Sequence, residues 1–393
     1  MKFFVAGAGM MGKAIVEDLI QQEDVLEIIV NDVSKRNLEN MVAWLKKLGV
    51  FDEKKIKLQM IDVTKKEEFV RFLKDGDFDV AINALPHEFS VLALKAYIEA
   101  GISAVDLAFE PDQIPLHESA KERGISIIPG CGVAPGLSNM LVGYGAANLD
   151  VIHKISIKVG GLPQKPLPPL EYRVVFHLNS VWNEYMRPAR VIRNRKLERV
   201  PALSGVEPIE FPGIGELECF YTDGISTLPL TFKDALEIEE KTIRYPGHAQ
   251  KIKALIECGL LDTTPIEIEG VKITPRSFLT KLLTPKLMLG DEKDLTVMRV
   301  EVSGLKGEKE LQYVFDLIDY YDENKNLTSM ARTTGYTGAI VAYLMAKGEI
   351  KERGVIPPEK LGMNKLLFER ILSELEKREI HIKETSIVIK DIS

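Results

Sequence analysis

The chain has 393 residues, 45% of them hydrophobic, with 51 Lys and Arg against 58 Asp and Glu and a net charge of −7. Its pI is near 5.6. That balance offers no basic face for nucleic acid or an anionic membrane, and no apolar run is long enough to cross a bilayer. Cys131, Cys219 and Cys258 are too few and too scattered for a disulfide framework or a zinc site, which points to a reducing cytoplasm and to no metal.

Two domains are expected at this length, and strand and helix signals alternate through the first third. Phe3-Phe4-Val5 runs into Gly7-x-Gly9-x-x-Gly12, with an amphipathic stretch from Met10 to Ile20 behind it. In a dinucleotide-binding βαβ unit the first glycine makes the turn, the second admits a pyrophosphate and the third packs helix on strand. Lys2 before an apolar run would suit a signal peptide, but the run is full of glycine and merges into the fingerprint. The second strand, from Glu27, ends at Asp32, 20 residues past Gly12, where a carboxylate takes the ribose hydroxyls of NAD. Ser34, Lys35 and Arg36 follow and could instead hold the 2′-phosphate of NADP; Asp32 would repel it, so NAD is the expected cofactor.

Ser34 caps a helix carrying Leu38, Met41, Val42 and Leu45 inward. Ile56–Ile61 is the third strand, and Thr64-x-x-Glu67 reads as a capping box. Phe78–Leu85 is a near-continuous apolar strand, Ser103–Leu107 the next and Ile125–Ile128 the sixth, with helices between. This is an α/β, doubly wound parallel sheet, a Rossmann domain over residues 1–130. Ligands lie at the C-terminal strand ends of such sheets. Gly7, Gly9, Met10, Met11 and Gly12 should therefore face the pyrophosphate, Asp62 and Val63 the adenine, and Asn83, Ala84, Leu85 and Pro86 the nicotinamide ribose. Asp106 should point toward the nicotinamide ring.

The pattern changes after Gly130. Val151–Val159, Thr296–Ser303 and Leu311–Tyr320 alternate apolar and polar residues, the mark of a sheet with one wet face. Residues 131–325 are expected to form a second, α+β domain on an open, largely antiparallel sheet, with a helix within 326–350 returning to the first domain. The tail, 351–393, holds one amphipathic helix and a short strand pair, expected on the second domain. The cleft between domains is the default active site.

The runs Gly132-Val-Ala-Pro-Gly136, Val159-Gly-Gly-Leu-Pro163, Pro168-Pro-Leu-Glu-Tyr172, Thr242-Ile-Arg-Tyr-Pro-Gly-His248 and Met330-Ala-Arg-Thr-Thr334 resemble the saccharopine dehydrogenase superfamily over nearly the whole chain, and most of all its lysine 6-dehydrogenase branch. The resemblance implies an NAD-linked oxidative deamination of the ε-amino group of L-lysine to the 6-semialdehyde, which cyclises to a piperideine carboxylate. It also implies a homodimer built through the second domain. Neighbouring branches act on saccharopine or carboxylated polyamines, so a saccharopine or carboxynorspermidine dehydrogenase is the alternative, and a catalytically silent NAD-binding regulator is a third reading.

Hydride can leave the carbon only when the amine is neutral, and the ε-amine of free lysine has a pKa of about 10.4, so the site needs a base or a dry pocket. Asp106 and Glu171 are the candidate carboxylates, and His248 is either a proton carrier or simply the start of a helix. His177, in an apparent strand, reads as structural. Arg244 closes a strand and would hold the substrate carboxylate bidentately, or else form an ion pair between domains. Tyr245, Tyr172 and the Gly160-Gly161 pair complete the expected wall. Cys131, next to a helix start, suggests the nucleophile of a phosphorylating aldehyde dehydrogenase, but the Cys motif of those enzymes is missing. A doubly carboxylated substrate would need a second cation from Arg173, Arg187, Arg276 or Arg299.

Overall fold

A computed structural model of the chain describes residues 1–174 and 178–389; His177 lies outside them. The first sheet has seven parallel strands in the order Gly354–Val355, Ser126–Ile128, Ser103–Asp106, Val80–Asn83, Lys2–Ala6, Glu27–Asn31 and Ile56–Gln59. Strand order reverses beside Lys2–Ala6, which leaves a crevice at the C-terminal ends of that strand and Val80–Asn83. Each face is covered. Phe3, Val5 and Ile82 pack with Ile15, Leu19 and Met41 on one side. Phe4 and Ala81 pack with Phe69, Leu94 and Tyr97 on the other.

Two local readings are corrected here. Thr64 does not cap the third helix, which spans Lys66–Gly76; it donates through N and Oγ1 to Asp62 Oδ1 at 2.9 and 2.7 Å, closing a turn instead. The tail does not sit wholly on the second domain. Gly354–Val355 pairs with Ser126–Ile127 as the seventh strand of the first sheet, and Ile382–Ile389 pairs with the strand Lys309–Tyr320 of the second. Two paired residues are too few to show a period.

The second sheet has nine strands. Its main path runs Glu207–Phe211, Gly215–Tyr221, Glu237–Arg244, Val151–Pro163, Asp294–Lys306, Lys309–Tyr320 and Ile382–Ile389, and the hairpin of Ala189–Arg193 and Lys196–Val200 attaches beside Glu237. The sheet is mixed: Glu237–Arg244 and Val151–Pro163 run parallel, and the other pairs are antiparallel. Ser329–Ala346 widens into a π-helical turn over Arg332–Tyr336 and docks on the helix Met10–Ile20. There Tyr336 Oη donates to Glu17 Oε2 at 2.7 Å. One apolar cluster runs from Val5 and Ile82 through Met140 and Leu141 to Ile157 and Val300, so a shared core fixes the two domains around the cleft. Among the described residues no helix is long and apolar enough to cross a membrane.

Candidate active site

The fingerprint loop has the shape a dinucleotide requires. Gly7 has φ +102°, which L side chains rarely adopt, and a Cβ at Gly12 would lie 1.9 Å from the Gly7 carbonyl oxygen. A Cβ at Gly9 would meet nothing within 4 Å, so the loop is open where a pyrophosphate would approach. The helix Met10–Ile20 has no side-chain cap at its start, which leaves its first N–H groups for an anion. These residues fit a nicotinamide dinucleotide. Asp32 Oδ2 accepts from Ala8 N and Oδ1 from Ser34 N, both at 2.8 Å, which holds the carboxylate at the loop.

The other expected cofactor residues divide. Met11 faces the interdomain cleft, and Met10 Sδ accepts from Thr328. The carbonyl of Ala84 backs Gly7, Leu85 packs partly into the core, and Val63 is buried in it. Asn83 is fully buried and donates to Asp106, while its Oδ1 has no partner among the described residues. Pro86 precedes the short turn His87–Phe89.

The cleft between the domains holds about 750 Å³. Its near wall comes from Met11, Leu107, Glu110 and the linker Gly132–Pro135, and its far wall from the second sheet and the helix Leu178–Met186. Side chains alternate along a strand, so Glu240, Thr242 and Arg244 on the strand Glu237–Arg244 share one face, and all three line the cleft. Ser180, Asn183 and Glu184 face them from the helix and Arg187 from just past its end, with Thr222 and Asp223 at the rim.

Arg244 is held from several sides. Its Nε donates to Tyr185 Oη at 2.9 Å and its Nη1 to the Ile243 carbonyl at 2.8 Å. The guanidinium lies 4.7 Å from the ring centre of Tyr172, and Glu184 Oε1 stands 3.7 Å from Nη2. Burial opposes the charge, but Tyr185, Tyr172 and Glu184 more than offset it and raise the pKa further. A guanidinium has five N–H donors, so a carboxylate entering the cleft meets a fixed, ionised fork.

The three expected proton-transfer residues do not line this cleft. Asp106 is fully buried and accepts from Ser90 Oγ, from Asn83 Nδ2 and Gln113 Nε2 at 3.1 Å each, and from Ala108 N at 2.9 Å. It brackets three segments, and burial lifts its pKa to about 6. Glu171, at φ +51°, is turned outward to pair with Lys251. His248 is fully buried with both nitrogens engaged: Nδ1 lies 2.7 Å from the Leu170 carbonyl and Nε2 3.0 Å from Tyr185 Oη. Nδ1–H therefore donates, Nε2 accepts, and the ring is neutral. Burial, then the charge of Arg244, pull its pKa down to about 3.

The expected wall is also revised. Tyr245 Oη donates to the Pro163 carbonyl at 2.9 Å rather than into the cleft. Tyr172 contributes its ring beneath Arg244. Gly160 and Gly161 do line the cleft, but a Cβ at Gly160 would lie 2.4 Å from the Ile243 carbonyl oxygen, so its bareness serves strand packing. Cys131 is fully buried, and burial raises its thiol pKa, which removes it as a nucleophile.

Arg187, one of the four candidate second cations, does line the cleft; Glu184, Asn183, Thr222, Asp223, Glu240 and Thr242 were not anticipated. The two-residue alternation back from Arg244 was a usable signal for Thr242 and Glu240; the helix residues and the rim carried none.

A parallel sheet with an open fingerprint loop, facing a cleft floored by a fixed arginine and lined by acids, defines a two-domain dehydrogenase that uses a nicotinamide dinucleotide. Residues 3–128 match the family described as the saccharopine dehydrogenase NADP binding domain, and residues 132–380 the saccharopine dehydrogenase C-terminal domain. The chain belongs to the saccharopine dehydrogenase superfamily. It is 23% identical to the carboxyaminopropylagmatine dehydrogenase of Synechocystis sp., over 93% of this chain and 94% of that one. It is 24% identical to the saccharopine dehydrogenase [NADP(+), L-glutamate-forming] of Saccharomyces cerevisiae, over 97% and 98%. The apo structure of the S. cerevisiae saccharopine dehydrogenase (L-Glu forming) superposes with a TM-score of 0.79 at 20% identity, covering 98% of this chain and 99% of that one.

Proposed function

We propose that the protein is an NAD-dependent lysine 6-dehydrogenase, oxidising the ε-carbon of L-lysine with loss of ammonia. The observation that carries this reading is the charge of the cleft. Glu110, Glu184, Asp223 and Glu240 line it against Arg187 and Arg244; Arg187, half exposed at the rim, shares Asp223 with Arg190 at 3.3 and 2.8 Å, which leaves Arg244 as the buried cation of the cleft. One fixed cation among several acids suits a substrate with one carboxylate and two amines. The alternative, a doubly carboxylated substrate, needs a second free cation. Arg173 is spent on the carbonyls of Leu167, Pro168 and Tyr172. Arg276 donates to Asn179 and Asn183, and Arg299 forks onto Asp316.

In this reading Arg244 grips the α-carboxylate in a bidentate pair. Met11, Leu107 and Gly132–Pro135 form the drier wall against which the ε-carbon is laid, limiting water around it. The loop of Gly7, Gly9 and Gly12 would hold the dinucleotide, whose nicotinamide would supply the hydride acceptor. The proton that must leave the substrate ammonium goes to an acid facing the cleft, since Asp106, Glu171 and His248 are committed elsewhere. NAD is preferred over NADP because the Asp32 carboxylate is held at the loop, and because Lys35, exposed, leans to Glu39 at 3.6 Å. The test is NADH formation from L-lysine and NAD, compared with saccharopine at equal concentration; turnover of saccharopine in preference to lysine would remove the proposal.

A further inference from the structure

Four cleft side chains form an unbroken chain of oxygens. Thr242 Oγ1 donates to Glu184 Oε1 at 2.7 Å, Thr242 and Thr222 hydroxyls lie 2.7 Å apart, and Thr222 Oγ1 lies 2.7 Å from Glu240 Oε2. Contacts of this length are hydrogen bonds, and each needs one hydrogen. The chain has three contacts, and two threonine hydroxyls supply two hydrogens. If both carboxylates were ionised, each hydroxyl would point outward to its acid and two oxygens would meet with nothing between them.

We propose that Glu184 and Glu240 share one proton through Thr242 and Thr222, and that the chain holds Glu184 as the carboxylate that takes the proton of the substrate ammonium. The second half rests on the lysine reading above; the shared proton does not.

The surroundings decide where the proton sits. Glu240 is 4% exposed and pressed against Gly224, where a Cβ would lie 2.5 Å from its carboxyl carbon. Burial and the like charges of Glu184 and Asp223 favour its neutral form over the pull of Thr222 and Arg244. Glu184 has Arg244 at 3.7 Å and the Thr242 hydroxyl on its Oε1, with Arg187 and Asp223 also on the cleft. The hydrogens therefore run from Glu240 to Thr222, to Thr242, to an ionised Glu184. In the step an N–H bond of R–NH3+ breaks and an O–H bond on Glu184 forms, leaving a neutral amine with its lone pair free. Water then adds to the iminium left by hydride loss and gives the aldehyde its oxygen, both water protons leave on nitrogen as ammonium, and the proton on Glu184 passes to solvent, so the chain ends as it began. Glu184 touches the substrate; Thr242, Thr222 and Glu240 are positioning residues.

The shared proton is read without substrate. Infrared spectra of the wild-type protein and Glu240→Gln at neutral pH should differ by the carbonyl band of one protonated carboxylic acid, present only in the wild type. No such band would overturn the shared proton. Kinetics test the role. Thr242→Val removes a hydrogen bond to the charged form of Glu184, so the acid limb of the kcat/KM profile for lysine should move up by about one pH unit. Glu240→Gln keeps a donor to Thr222 and should leave that limb in place. A limb unmoved by Thr242→Val would overturn the role of Glu184. If the wild type turned over no lysine, the lysine reading and this role would fall together, while the infrared band would still decide the proton.

Discussion

Arg244 and Tyr185, the one on the cleft wall and the other buried behind it, are joined by a 2.9 Å hydrogen bond from Nε to the phenol oxygen. Tyr185 is itself held by His248 at 3.0 Å. The cation proposed to hold the substrate carboxylate is thus positioned by a phenol, and the phenol by a neutral imidazole.

Loss of the fork should weaken substrate binding more than cofactor binding. Hydrogen bonds to charged groups contribute about 1.5–3 kcal/mol, so Arg244→Lys should raise KM for lysine by about ten- to a hundredfold with KM for NAD unchanged. Tyr185→Phe should give a smaller rise in the same constant. Steady-state kinetics with each substrate varied in turn checks both.

His248 should shape stability rather than the pH dependence of turnover. Its folded pKa, about 3, lies below the ordinary value of 6.5, so the unfolded chain takes up its proton first as pH falls. Its contribution is intact above about pH 6.5 and is lost progressively toward pH 3. Glu, Asp and other groups titrate there too, so the comparison is with His248→Gln, which can keep both hydrogen bonds without titrating. Urea unfolding between pH 7 and 4 should show a shallower loss in the variant than in the wild type.

Two fingerprint glycines should fail in opposite ways. Gly12→Ala places a Cβ 1.9 Å from the Gly7 carbonyl and should cost about 1–3 kcal/mol of stability. Gly9→Ala meets no protein atom within 4 Å, so its stability should stay within about 0.5 kcal/mol while KM for NAD rises. Thermal melts and cofactor titrations of both variants separate the two roles.

Cofactor choice should turn on the charge of Asp32. Asp32→Asn keeps an acceptor for the loop amides and removes the repulsion of a 2′-phosphate, a like-charge contact that can cost several kcal/mol. The ratio of kcat/KM for NADP over NAD should rise by at least about tenfold. An unchanged ratio would mean that Asp32 does not face the ribose.

The parallel sheet was legible because its strands are apolar throughout and its turn is spelled in glycine. Arg244 was legible because it ends a strand before Pro246-Gly247. Asp106, Glu171 and His248 misled for one shared reason: chemical type shows in a sequence, and commitment does not. His248 is engaged by Leu170, 78 residues away, and Tyr185, 63 away. Glu171 is engaged by Lys251, 80 away. Glu184 and Asp223 carry no motif of their own, and only the fold brings them to the cleft that Arg244 lines. Gly354–Val355 is a strand only because Ser126–Ile127 offers it an edge.

The most direct test of the central claim is a single assay of the purified protein with L-lysine and NAD at alkaline pH, following NADH and ammonia together. The account predicts that both form in a 1:1 ratio, with a product that cyclises to a piperideine carboxylate. NADH that appears only with a doubly carboxylated secondary amine, or without release of ammonia, would contradict it.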